Sequence, residues 1–511
     1  MTGIPAPRSH AVRAPCGRLR AVLRRRSTGR LGVRAAVFVA AVVCVAARPP
    51  ASRVAAPGGA AGAHPHPAGS AAAHAHLVSS SPAAGDTVAV PGALRLAFSE
   101  PIEEAFAGIV LRAWTGREAA LAPRRSADDE RVLEASLPDL APGGYRVDWR
   151  IVSADGHPIA GSFEFYVAAP APGGPAAGAP RLPTAPPPLE AHASHGDPAG
   201  TTGEPPVVAA VVRGLSLGSL MALAGLLAVT AWLSRGPFGR LDRVAVGLAV
   251  AAPLLAAGDF LLWLQHAAPD RRLTAEALTG ALATRSGLYG ALRVGLAALA
   301  LWAIGLARRR SLAAVLAMGA LVLSAPTGHP AAIRPELAVP AKALHLVAIA
   351  VWSGGLLLLL LSGRRDEPFR ADAARVSTAA LLAVVTIAAT GVLQVALFLA
   401  RPLDLVRSTY GLLSLGKIAG LLVLVGFGVL NRYRLLPRLR AGAGPEGLRR
   451  SVRAETLVMA AVVLLAAFLA YVPPPAPLDE SRRAHGASPA GGSRSEASSA
   501  VHEAPRTERP R

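Results

Sequence analysis

The chain is almost without cysteine. Of 511 residues only Cys16 and Cys44 are cysteines, and both fall in an N-terminal stretch that reads as a leader. Disulfides and thiolate metal sites are therefore excluded from the mature chain, and a bound metal would draw on His, Asp, Glu, Met or the amino terminus. No G-x-x-x-x-G-K run ending in Ser or Thr occurs, which excludes a P-loop and, with it, ATP as a driving force. The formal charge of +21 comes without a basic patch interleaved with aromatics. Most of the Arg lies in the leader, in short loops between apolar runs and in the C-terminal tail, where membrane topology places it, so no nucleic-acid partner is expected.

Apolar sequence is what the chain has in abundance: 52% hydrophobic residues and a mean hydropathy of +0.41, in runs long enough to cross a bilayer. Residues 1–47 join an Arg-rich start to an apolar run of 13, Ala35 to Ala47, the form of a secretory signal. Residues 48–75 are mainly Ala, Gly, Pro and His, too simple in composition to pack a core, and signal cleavage is expected within them. Residues 76–167 carry alternating or β-branched runs at Ala93 to Phe98, Gly108 to Ala113, Arg131 to Leu137, Tyr145 to Val152 and Gly161 to Val167, with Pro, Gly and Asp between them. That pattern predicts roughly seven strands in an all-β Greek-key sandwich or barrel of immunoglobulin-like type. A Pro/Ala/Gly linker with His192 and His195 covers 168–205.

Residues 206–472 read as an all-α polytopic membrane domain of about eight transmembrane helices, at 206–233, 243–266, 287–307, 310–328, 339–362, 374–400, 411–431 and 451–472. The loops after odd-numbered spans are the richer in Arg, which makes them cytoplasmic. The β-domain and the 473–511 tail, expected to be disordered, then lie outside the cytoplasm, in agreement with the secretory signal. The lipid bilayer of the plasma membrane is the first expected partner.

Polar residues inside the spans gain meaning from this topology, because ionisable groups in a membrane are costly and mark pathways or paired sites by default. Asp259 and His266, seven apart in the second span, share a helix face near its outer end. His329 closes the fourth span, and His345 lies about two turns into the fifth from the same side, below Lys342. The three His fall at one depth and form a candidate metal path with Asp259. Arg213, Arg293 and Lys417 read as snorkelling side chains, and Glu455 as an interfacial charge. Trp352-Ser353-Gly354-Gly355 supplies small residues for close helix approach. Met221, Met318 and Met459, single residues in three spans, read as core.

In the β-domain, Ser153-Ala154-Asp155-Gly156-His157-Pro158 stands out. On an extended segment Asp155 and His157 point the same way and form half of a metal site, which His76 could complete. The tetrapeptide can equally be a turn, with Asp155 bonding its own backbone and Gly156 at positive φ.

The surroundings decide more. His76-Leu77-Val78-Ser79-Ser80-Ser81-Pro82, Tyr145 through Pro158 and Gly161-Ser162-Phe163-Glu164-Phe165 resemble the copper-binding domain CopC over 76–167. His345-Leu346-Val347 leading to Trp352-Ser353-Gly354-Gly355, Tyr410-Gly411 with Lys417 and Asn431, and Glu455 with Pro473-Pro474-Pro475 resemble its membrane partner CopD over about 206–475. The resemblance implies a fusion in which Cu(II) is held by the amine and imidazole of His76 with Asp155 and His157. Nitrogen and carboxylate donors suit Cu(II). No Met occurs between Met1 and Met221, so the Met-rich Cu(I) site of some relatives is not expected. About 28 residues separate the apolar leader run from a cleavage that would free His76; a cut upstream would cost the amine and leave His64, His66 and His74 as auxiliary ligands.

The implied role is copper handling for homeostasis or resistance, with capture outside and import or transfer through the helices, and a copper chaperone or reductase as a further partner. No enzymatic activity is expected. The alternatives are a haem-binding membrane protein of b-type cytochrome kind, which needs His pairs facing one another at matched depth, and a scaffold that buffers copper without transport.

Overall fold

A computed structural model describes residues 75–89, 91–169, 207–232, 239–268, 272–362, 366–399, 401–472 and 474–475. The leader, the low-complexity segment before 75, nearly all of the linker and most of the tail lie outside the described residues, as do His64, His66, His74, His192 and His195.

Nine strands form two sheets. β1 (Leu77–Ser81), β3 (Ala93–Phe98), β7 (Val132–Ser136) and β6 (Arg124–Arg125) make one, in the order β1-β3-β7-β6. β2 (Thr87–Val88), β9 (Pro158–Val167), β8 (Gly143–Ser153), β4 (Ile102–Ala113) and β5 (Glu118–Leu121) make the other, in that order. Alternation drives the packing: Leu94, Leu96 and Phe98 of β3 and Val147, Trp149 and Ile151 of β8 turn inward at every second residue and fill the space between the sheets. The pairing of β4 with β8 is interrupted between Glu103 and Gly108, a bulge that re-aims Phe106 out of the sandwich.

The helical part begins with α1 (Val207–Trp232) and α2 (Gly239–Ala267), followed by a short α3 (Ala275–Ala283), α4 (Arg285–Gly305) and α5 (Arg310–Val322). It continues through α6 (Pro335–Leu361), α7 (Asp366–Phe398), a one-turn α8 (Asp404–Arg407) and α9 (Thr409–Leu430). A π-helical turn, Asn431–Leu435, then leads into α10 (Leu436–Arg440), and α11 (Glu446–Leu469) closes the bundle. Seven of these helices are long and apolar enough to span a membrane. The fourth expected span is the exception. α5 has 13 residues, about 20 Å of helix, short of the ~30 Å hydrocarbon core. It stops because Pro326, Gly328 and Pro330 follow, and Ser324 through Pro330 continue as buried turns into a 3₁₀ segment, His329–Ala331. Irregular backbone at membrane depth is tolerated where protein buries it, as here.

α1 and α6 cross with their backbones in contact. A Cβ on Gly225 would lie 1.8 Å from the Ala350 carbonyl oxygen, and one on Gly354 would lie 2.1 Å from the carbonyl carbon of Gly225, so the Gly354 of the W-S-G-G run is there for close approach. Met221, Met318 and Met459 are core residues, as their isolation in three spans implied.

Candidate functional site

The D-G-H sequence is a hairpin turn between β8 and β9. Gly156 N–H donates to the Ser153 carbonyl at 2.8 Å, and Gly156 has φ +87°, a conformation that favours glycine. Strand alternation therefore does not bring Asp155 and His157 together; the turn does. Asp155 Oδ1 accepts from the His157 backbone N–H at 3.0 Å, while Oδ2 lies 2.8 Å from His157 Nδ1. Ser153 Oγ donates to Asp155 Oδ1 as well. The carboxylate is fully buried and its oxygens are committed to this turn, so its immediate effect is to fix the orientation of the His157 ring through Nδ1.

The turn does not face open solvent. It is seated on the end of the helical bundle that carries the α2–α4 connection, the His329 segment and the chain after α11. Gly328 N–H donates to the Asp155 carbonyl at 3.1 Å, and Trp263 Nε1 donates to the Gly156 carbonyl at 2.8 Å. The His157 ring stacks on His329, with centroids 5.8 Å apart and planes inclined by 23°, and Tyr471 meets it edge-on at 6.0 Å. His329 in turn packs edge-on against Tyr410. The stacking makes two imidazoles, one from the β-domain and one from the helical domain, direct neighbours across the junction.

The junction has an apolar core of its own. Phe106 and Val152 of the β-domain pack with Phe260, Leu264, Ala267, Ala268, Ala277 and Ala281, under Trp263. Around it, Arg150 Nη2 donates to the carbonyls of His266, Ala267 and Ala268 at 2.7, 2.9 and 3.0 Å, capping the C-terminal end of α2, where orphan carbonyls and the helix dipole favour a cation. Glu103 Oε1 accepts from Arg285 N–H at 3.1 Å. Burial raises the Glu103 carboxyl above the ordinary glutamate range, with the Arg285 N–H and nearby Arg charges pulling the other way.

The sequence-derived residues are distributed as follows. His329 joins His157. His76 is exposed at the start of β1, its N–H donating to Ser99 Oγ at 3.1 Å, and Pro101 two residues on accepts from Ala154 N–H at 2.8 Å, so His76 sits at the same end of the sandwich as the turn. It is not gathered with Asp155 and His157: among the described residues no three His, Cys, Asp or Glu side chains are grouped for one ion. Asp259 and His266 do not form a pair. Asp259 is taken by Arg293, and His266 Nδ1 turns back to the Leu262 carbonyl at 2.6 Å. His345 Nδ1 lies 2.9 Å from Thr390 Oγ1, a partner different from that of His266 or His329.

Arg293 is not a snorkelling residue but a buried ion-pair partner, 6% exposed. Arg213 lies over the Tyr471 ring at 5.7 Å. Glu455 is not interfacial; it is 2% exposed and bonded by Trp352 and Asn431. Sequence reasoning missed Phe106, Arg150 and Trp263. Only the lone aromatic Phe106, out of step with its strand, carried a readable signal.

Comparison with known proteins agrees with this division. The CopC domain family matches residues 77–168, and the family described as Copper resistance protein D matches 370–469. Protein YobA of Escherichia coli strain K12 is 41% identical over 89 residues, 17% of this chain and 72% of that protein. Copper resistance protein C of Pseudomonas syringae pv. tomato is 39% identical over 94 residues, 17% of this chain and 75% of its own length. Copper transport protein CutJ of Bacillus subtilis strain 168 is 31% identical over 171 residues, 32% of this chain and 30% of CutJ. With a sandwich of CopC type seating its hairpin turn on a multi-pass helical domain whose residues 370–469 match CopD, the chain belongs to the CopC/CopD copper-resistance family, as a fusion of the two.

Proposed function

We propose that the β-domain captures Cu(II) outside the cytoplasm and hands copper to the membrane domain at their junction. The observation that carries this reading is the 5.8 Å stacking of His157, on the soluble side, with His329, on the membrane side. A β-domain whose donors are His, Asp and backbone nitrogen, without Cys or Met, favours the cupric ion. The His157 side chain is 17% exposed in the docked arrangement, which fits transfer better than capture. Capture then takes place with the β-domain lifted, when His76 can join His157 at the ion and the Asp155 carboxylate turns from its bonds within the hairpin to complete the set. The docked end carries the Arg-poor loops, which supports its lying outside the cytoplasm. Onward movement as Cu(I) takes one electron per ion from an external reductase, and a soluble copper chaperone is the natural donor to His76.

Purified full-length protein in proteoliposomes tests the reading. Wild type is expected to bind one Cu(II) per chain and to accumulate copper in the lumen when a reductant is supplied. His157→Ala should lose tight binding, at least about 100-fold, given the usual effect of losing a ligand or its support. His329→Ala should retain binding and lose accumulation. Tight binding by wild type with no lumenal copper would leave buffering as the function; the absence of tight binding would end the copper reading.

A further inference from the structure

At the end of the bundle away from the β-domain, Glu455 is buried on α11, a helix that packs against α1, α6, α9 and the π-helical turn. Its Oε1 accepts from Trp352 Nε1 at 2.8 Å and its Oε2 from Asn431 Nδ2 at 2.7 Å. Both donors are neutral. The charged groups of the surrounding elements are directed elsewhere. Arg213 of α1, Lys342 and His345 of α6 and Lys417 of α9 belong to the docked half, as do Glu336 and Tyr410. In the π-helical turn, Arg432 donates to Ser377, and Tyr433 and Arg434 are exposed. On α11 itself Arg449 reaches the Ser362 carbonyl and the Phe369 ring, while Glu446, Arg450 and Arg453 are exposed.

Among the described residues Glu455 has no counter-charge; a carboxylate buried in this way in a membrane is expensive and needs some compensating positive charge. Asn431 supplies a second observation: its Oδ1 is buried with no hydrogen-bond partner among the described residues. A carboxamide holds donor and acceptor on one planar group, so a half-turn exchanges them. With Nδ2 presented, Asn431 satisfies a carboxylate; with Oδ1 presented, it accepts from a carboxylic acid O–H. The unused oxygen is thus the partner that the protonated state of Glu455 would use. Asn431 also opens the π-helical turn, a wider backbone turn frequent at functional positions.

We propose that Glu455 is a proton-exchange site with Asn431 as its amide switch, and that proton occupancy there is coupled to copper movement. Water from the far face supplies the proton, which adds to Oε2 to form the O–H bond; release returns it to water and restores the carboxylate, with no electron transferred. One positive charge balances the site, so a proton and an arriving copper ion compete for it. The coupling rests on the copper-transfer reading above; the exchange does not.

Infrared difference spectroscopy of the full-length protein in lipid, titrated with acid and base without copper, reads the exchange directly. A carboxylic-acid carbonyl band that titrates, shifts in deuterated water and vanishes in Glu455→Gln is the expected result. A spectrum unchanged by that substitution overturns the proposal. Asn431→Ala should move the titration midpoint by at least about tenfold in proton concentration, and an unmoved midpoint overturns the amide switch. In proteoliposomes, copper accumulation by wild type should depend on lumenal pH, and Glu455→Gln should remove that dependence. Copper flux that is equally pH-dependent in wild type and Glu455→Gln overturns the coupling. Wild type that shows the titrating band and moves no copper leaves the proton site standing and removes the copper-transfer reading alone.

Discussion

Two buried acids, one in each half of the bundle, are compensated in opposite ways. Asp259, below the β-domain, is matched by the guanidinium of Arg293, which also reaches Ser324 Oγ at 3.5 Å and so ties α2 and α4 to the segment bearing His329. Glu455, in the other half, meets among the described residues the neutral N–H groups of Trp352 and Asn431 and no cation. A full counter-charge locks a site in one state, whereas neutral donors allow a group to change charge without stranding a partner. The docked half is therefore built to hold a fixed platform under His157, and the far half to accommodate change.

The largest test of that contrast is the removal of each partner. Arg293→Met should destabilise the protein by about 3–5 kcal/mol, because it strands the Asp259 carboxylate, while Glu455→Gln should cost under about 1 kcal/mol, since Gln keeps comparable hydrogen bonds. Thermal unfolding in lipid nanodiscs measures both, and equal losses would break the comparison. Next comes the platform's grip on the β-domain. Phe106→Ala should cost about 3 kcal/mol of docking, seen as a broadened distance distribution between spin labels on β5 and α4.

Smaller again is Gly156→Ala. Its Cβ would lie 2.6 Å from Ser286 Oγ at a backbone φ of +87°, a cost of about 1–2 kcal/mol, visible as faster hydrogen exchange at the turn. The smallest expected effect is that of Glu103. Its raised pKa means that the folded state binds more protons than the unfolded one between the ordinary glutamate value and the raised one, so stability falls as pH rises through that window and is greater below it. Glu103→Gln should flatten that slope in denaturant titrations taken across acidic to neutral pH.

How far the chain could be read beforehand tracks the sequence separation of the partners. Asp155 and His157 are two residues apart, and both readings of their segment survive in part: the backbone is a turn, and the side chains do meet. The strand at Ala93 to Phe98 and most of the spans follow from periodicities of two residues and of continuous apolar runs. By contrast, the partners of Asp259 and Arg293 are 34 residues apart, those of Trp352 and Glu455 are 103 apart, and Arg150 meets Ala267 at a separation of 117. No local pattern encodes such pairs. Arg293 consequently reads as a snorkelling side chain and Glu455 as an interfacial charge, although both are buried. The short α5 was legible only in outline, because Pro326 and Pro330 announce a break without saying that protein, not lipid, surrounds it.

By itself the sequence determined the division into an all-β domain and a polytopic helical domain, the exclusion of thiolate chemistry and the D-x-H motif, because each rests on composition or on residues close along the chain. Only the tertiary structure decided that the motif is seated on His329 and that Asp155 orients His157. It alone decided too that Asp259 has a counter-charge and that Glu455, among the described residues, has none. Docking and compensation are sums over side chains from several elements, and they exist once those elements are packed.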